Sequence, residues 1–160
     1  MSFTASGAEV PPHGKSSTYQ NFFVFGQSVA ERITCTDHTD PYYVFDQSHP
    51  PGTGVPPHMH AAEDELVFVR AGQFEVFLNG TVIPVGPGAI LNFVRGSLHG
   101  FRSLGPDLGQ TTWIVTPGLT GQMFLRELGA FPPGPPDPDR LDALHARYRI
   151  TMPPPTDRWW

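Results

Sequence analysis

Glycine and proline interrupt this chain so often, 17 of one and 19 of the other in 160 residues, that little room is left for long regular elements. Proline removes a backbone donor and fixes φ, and glycine weakens the interior of any helix or strand. Such punctuation suits many short strands joined by turns better than it suits long helices. The same chain is 39% hydrophobic and carries 12 Phe, enough apolar material for the core of one domain. The expected class is therefore mainly β.

The order of the elements follows from local patterns. Residues 1–20 are polar and turn-rich, and are expected to form a flexible arm or a strand-exchange segment. Ser28–Cys35 and Tyr42–Asp46 have the composition of early strands. The Pro/Gly stretch between Asp46 and His58 is expected to be a loop, since proline is excluded from central strands. Leu66–Arg70, Phe74–Leu78 and Thr81–Val85 read as a meander, with Gly72 at the first turn and Asn79-Gly80 at the second. Asn-Gly between apolar alternations is the strongest short-range hairpin signal, because both turn residues take positive φ. Ala89–Val94, Leu98–Ser103 and Trp113–Thr116 supply further strands, the last closing a barrel that occupies 21–117. In 118–160 the pattern turns helical. Leu119–Leu128 ends at Gly129, and Arg140–Arg149 starts after Asp137 as a cap and Pro138 in the first turn.

Charge and cysteine content narrow the function classes. The net charge is −5, with a single Lys and no basic stripe, so nucleic acid is not an expected partner. The lone Cys35 makes neither an internal disulfide nor a thiolate metal site. No apolar run approaches the length of a membrane span, and no signal-peptide pattern opens the chain. A cytoplasmic protein is the expectation.

The chemistry concentrates between Gly52 and Ser103. In extended backbone, residues two apart point to one face, so His58 and His60 present both imidazoles together. Glu65 follows after a short loop, and His99 opens another strand after the Arg95-Gly96-Ser97 turn. Three imidazoles and a carboxylate suit one divalent ion, Fe, Ni, Mn, Co, Cu or Zn. These spacings resemble the cupins. Their first motif, G-x5-H-x-H-x4-E-x6-G, is filled at Gly52, His58, His60, Glu65 and Gly72. Their second, G-x5-P-x-G-x2-H-x3-N, is met at Gly88, Gly96 and His99, with Val94 in place of the Pro and Ser103 in place of the Asn. Neither departure touches a ligand. The resemblance implies a double-stranded β-helix, the jelly-roll barrel, followed here by short C-terminal helices.

Neighbouring residues have plainer readings. Glu63 and Asp64 compete with Glu65 for the ligand role, but the spacing and the apolar run directly after Glu65 favour Glu65. The other two read as a solvated acidic loop, with Asp64 orienting a ligand. Arg95 is either an anion-recognising group or, beside Gly96, simply exposed. Met59, between two ligands, faces away from the ion. His13, His38, His49 and His145 read as surface or core residues. Phe68, Phe77, Phe93, Phe101 and Trp113 read as barrel core, some of them lining a substrate pocket at its mouth.

The tail after the barrel is similar to those of bacterial cupins related to quercetin dioxygenase. That resemblance implies a metal-dependent dioxygenase that oxidises a small phenolic or enol-type aromatic substrate with O₂, with Glu65 as both ligand and catalytic base. A non-redox cyclase or isomerase of a polyketide-like substrate uses the same ligands, and a small-molecule binding protein without catalysis is the third reading. Single-domain cupins commonly pair, so a homodimer is expected, with Asn21–Phe25 as a candidate contact.

Overall fold

The computed structural model describes residues 19–154. Eleven strands and two helices follow one another: β1 Asn21–Val24, β2 Gln27–Ile33, β3 Tyr43–His49, β4 Gly54–His60, β5 Asp64–Ala71, β6 Phe74–Leu78, β7 Thr81–Val85, β8 Ile90–Phe93, β9 His99–Ser103, β10 Gly109–Thr116, α1 Gly118–Gly129, α2 Pro138–Arg147 and β11 Ile150–Thr151. Their antiparallel pairing builds one sheet in the order β1-β2-β3-β10-β5-β8 and a second in the order β11-β4-β9-β6-β7. Burial alternates along the strands, as in Tyr43, Phe45, Gln47 and His49 of β3 and Gly109, Thr111, Trp113 and Val115 of β10. The alternate inward residues of the two sheets meet and form the core, the arrangement of a jelly roll.

Three expectations are corrected. The first concerns the meander. Only β6 and β7 form a hairpin, turned at Asn79 and Gly80, both at positive φ. β5 does not pair with β6; it lies between β10 and β8, and the chain crosses to the other sheet at Gly72. Strand composition is a local property and contains no signal for which sheet a strand joins.

The second concerns the Pro/Gly stretch. Its loop is short, because β3 runs on through His49 and β4 begins at Gly54 with Pro56 and Pro57 inside it. β4 tolerates them because its pairing with β9 breaks register between Val55 and His58, while β11 reaches only Met59 and His60. No ladder bond is asked of either proline. Gly100 of β9 lies against this irregularity so closely that a Cβ would sit 2.8 Å from Pro57 N and from Val55 O, so a side chain there would force the two strands apart.

The third is β11, an added strand. It follows α2 directly and pairs with the end of β4.

α1 is held on the barrel by buried polar contacts. Arg126 Nε and Nη2 donate to Glu31 Oε1 and Oε2, each at 2.7 Å, and Tyr43 Oη donates to Glu31 Oε1. Gln122 makes a two-way bond to the backbone of Cys35. α2 begins as expected, with Asp137 accepting from Arg140 N and Pro138 at the first position. It is joined to α1 through Glu127, which accepts from Tyr148 Oη and Arg147 Nη1. Among the described residues, no helix is long and apolar enough to cross a membrane. The expected arm lies mostly outside the described residues, as does the end of the tail.

Candidate metal centre

β4, β5 and β9 bring four side chains to one point. His58 and His60 share the inward face of β4, as period-two geometry requires, and Glu65 stands second in β5. His99 opens β9, paired directly across from His58. One ligand atom from each lies within 4.8 Å of every other, so the four are able to hold a metal ion. His58 Nε2 is 3.1 Å from His60 Nε2, and His99 Nε2 is 3.1 Å from Glu65 Oε2. Two ligands about 2.1 Å from a common ion stand roughly 3.0–3.4 Å apart at octahedral to tetrahedral angles, so these spacings fit.

The tautomers fit as well. His58 Nδ1 donates to Pro56 O at 2.9 Å, and His99 Nδ1 donates to Ser97 O at 3.1 Å. Each donation leaves Nε2 as the lone-pair nitrogen and turns it toward the common point. Phe93 stacks flat on His99, with centroids 4.4 Å apart and planes 6° apart, and fixes that ring from behind.

Three of the four, His58, His60 and Glu65, line a cavity of about 360 Å³, and His99 stands behind them outside its wall. Phe45, Val55, Phe101 and Trp113 form its barrel wall, while Phe124 of α1 and Tyr148 after α2 form its outer wall. Its size falls within the roughly 300–1,000 Å³ of small-molecule sites, and its wall is predominantly apolar with a few polar groups, as such sites are.

Residues 45–115 match the family model described as the cupin domain. Over this stretch the chain is similar to the cupin domain. Solved structures that share the fold with a TM-score above 0.5 include three from bacteria. An RmlC-like cupin from Shewanella frigidimarina has a TM-score of 0.55 at 15% identity, over 66% of this chain and 89% of that one. The polyketide cyclase RemF from Streptomyces resistomycificus has 0.53 at 21%, over 62% and 75%. A predicted oxalate decarboxylase from Thermotoga maritima has 0.51 at 19%, over 64% and 96%. At these identities the likeness is one of fold. No curated protein matches the chain significantly in sequence.

Within this stretch, the acidic loop departs from its expected roles. Asp64 does not orient a ligand. It binds Arg95, accepting from the backbone N and from Nε and Nη2, at the protein surface. Arg95 is thus exposed and tied to Asp64. Glu63 is not solvated but 3% exposed, with Oε2 3.5 Å from His60 Nδ1 and neither oxygen hydrogen-bonded. Parity carried the signal: Glu63 and Glu65 are two apart and turn to the same side, and Asp64 between them turns away.

The five aromatic candidates separate. Phe101 and Trp113 line the cavity. Phe93 backs His99 and does not line it, and Phe68 and Phe77, half-buried on the outward parity of β5 and β6, are not in the cavity wall. Phe45, Phe124 and Tyr148 take their places. The helical pair is what sequence reasoning missed, since only the docking of α1 and α2 turns Phe124 and Tyr148 inward. His49 is a core residue, fully buried between Gln27 Oε1 and Thr111 Oγ1. His38 is exposed, and His13 lies outside the described residues.

His58, Glu65 and His60 differ in how they hold protons. Burial, with the neighbouring imidazoles, pushes His58 down to about 3. Burial opposes ionisation of Glu65, but the imidazoles around it outweigh this and hold it at about 2. Burial also works against a charge on His60, yet Glu65 and Glu63 outweigh it and raise its pKa above the ordinary 6.5. His60 therefore carries the proton that an incoming ion displaces. Metal loading at pH 7 is expected to release a proton from His60, and affinity is expected to fall about tenfold per pH unit below the His60 pKa. Calorimetric titration in two buffers of different ionisation enthalpy measures the released proton. Affinity independent of pH between 5 and 7 contradicts the assignment.

Proposed function

We propose that the protein is a metal-dependent enzyme of the quercetin-dioxygenase type, oxidising a small phenolic or enol-type aromatic substrate with O₂. The observation that carries this reading is a four-residue cluster whose His58, His60 and Glu65 face a cavity walled by Phe45, Phe101, Trp113 and Phe124. A divalent ion held by His58, His60, Glu65 and His99 supplies Lewis acidity toward a substrate hydroxyl. The aromatic wall takes the flat faces of the substrate and excludes water, which strengthens every charge interaction at the cluster. Of the two Glu65 oxygens, Oε2 is engaged by His99 at 3.1 Å while Oε1 stands 3.7 Å from His60 Nε2. Oε1 is the atom placed to receive the substrate's hydroxyl proton.

A second reading rests on Glu63. Its carboxyl lines the cavity without a hydrogen-bond partner, a group suited to moving protons in a non-redox cyclisation or isomerisation of a polyketide-like substrate. Metal analysis of protein purified without added metal, joined to an O₂-uptake screen with flavonols and simpler phenols, decides between the two. O₂ uptake with a redox-capable ion is the expected result. No uptake by any metal-loaded form discards the first reading, and anaerobic turnover with Zn establishes the second.

A further inference from the structure

His145 lines the cavity and belongs neither to the metal cluster nor to its supports. His145 projects from α2 into the cavity wall, and its Nδ1 is buried with no hydrogen-bond partner. A buried polar atom without a partner is uncommon in a native structure and marks a place where something else completes it. Phe124 neighbours both His145 and the cluster. Its ring is 6.2 Å from the His145 ring and 6.2 Å from the His60 ring. The cavity therefore has a polar group on α2 besides those on the barrel strands, with Phe124 beside each.

We propose that His145 is a substrate-recognition residue that binds a hydroxyl at the far end of an aromatic substrate whose near end meets the metal cluster. The proposal rests on the aromatic-substrate reading given above. The chemistry selects the class. Burial disfavours the charged imidazole against the opposing pull of Asp142, and in the neutral ring Nδ1 is a donor or an acceptor according to tautomer. A hydroxyl satisfies either tautomer, because it both donates and accepts. A carboxylate or phosphate finds no Lys or Arg among the residues that line the cavity. The substrate class is thus an aromatic ligand with a metal-binding oxygen at one end and a neutral hydroxyl at the other.

The test uses the Zn-loaded full chain, with 3-hydroxyflavone and its derivatives carrying one further hydroxyl at the 6, 7 or 4′ position. Binding is followed by ligand fluorescence. In the unaltered protein at least one derivative is expected to bind about tenfold more tightly than the parent, the worth of one buried hydrogen bond. His145→Phe is expected to erase that preference while holding the parent's affinity within about twofold. His145→Asn, which restores a donor and an acceptor, is expected to recover part of it, and a melting curve of each variant reports its folding. A preference that survives in His145→Phe, or the absence of any preference while the parent binds, overturns the role of His145 alone. Failure of every flavonol to bind the unaltered protein overturns the aromatic-substrate reading and this inference with it.

Discussion

Replacing His99 with Gln is expected to lower divalent-metal affinity more than 100-fold and to leave the protein folded. Loss of a residue that merely orients a ligand costs about 10–100-fold, and loss of a ligand costs more. His99 contributes more than a donor atom. Its Nδ1 is committed to Ser97 O, its ring is clamped on Phe93, and its Nε2 is the closest nitrogen to Glu65 Oε2. Removing it leaves two imidazoles on β4 and a carboxylate whose remaining neighbour is His60 Nε2, 3.7 Å from Oε1. Gln fills much of the same volume, so the core around Phe93 stays occupied and the stability cost stays within the usual 0.5–3 kcal/mol for one substitution. Titration of Co(II), read by its absorption bands, measures the affinity, and a thermal melt measures the fold. His49→Gln is the matching control. That residue is equally buried but bonded to Gln27 and Thr111, so its loss lowers stability and spares the affinity. Retained affinity in His99→Gln removes His99 from the ligand set.

The second large effect is on stability. Arg126→Met is expected to destabilise the protein by about 3 kcal/mol, since removing one partner of a buried ion pair strands the other. The stranded group is Glu31, whose side chain has no exposure while that of Arg126 is 28% exposed. Tyr43 Oη and Gln20 N still donate to Glu31, which places the cost at the lower end of the 3–5 kcal/mol range. At this chain length the loss corresponds to a fall in Tm of about 6–12 °C. Adding Glu31→Gln to the same protein is expected to return part of the loss, because no buried charge is then left without a partner. A melting temperature within 2 °C of the unaltered protein shows that the Arg126–Glu31 pair does not hold α1. The pair also concerns the site, because α1 carries Phe124 over the ligands.

Much of this was legible beforehand. Turn chemistry placed the Asn79-Gly80 hairpin, and capping chemistry placed the start of α2 at Asp137. Period-two geometry put His58 and His60 on one face, and the spacing to Glu65 and His99 completed the set. Each of these depends on residues close in sequence or on a spacing shared with a known family.

The features that failed depend on what lies across the molecule. Glu63 became the buried partner of His60 because the β4–β5 turn folds it inward, while Asp64 found Arg95 at the surface. Phe93 became the support of His99 because β8 packs behind β9, and Phe68 and Phe77 fell on the outward parity. His145, expected to be an ordinary surface or core residue, reaches the cavity because Glu127 and the short strand β11 hold α2 against the barrel. By itself the sequence determined the strands, the turns and the four ligands, since periodicity, φ preference and donor chemistry are carried by the residues themselves. The tertiary structure alone decided the sheet each strand joins, the walls of the cavity and the partner of each buried polar group, since these arise from pairings between segments far apart in the chain.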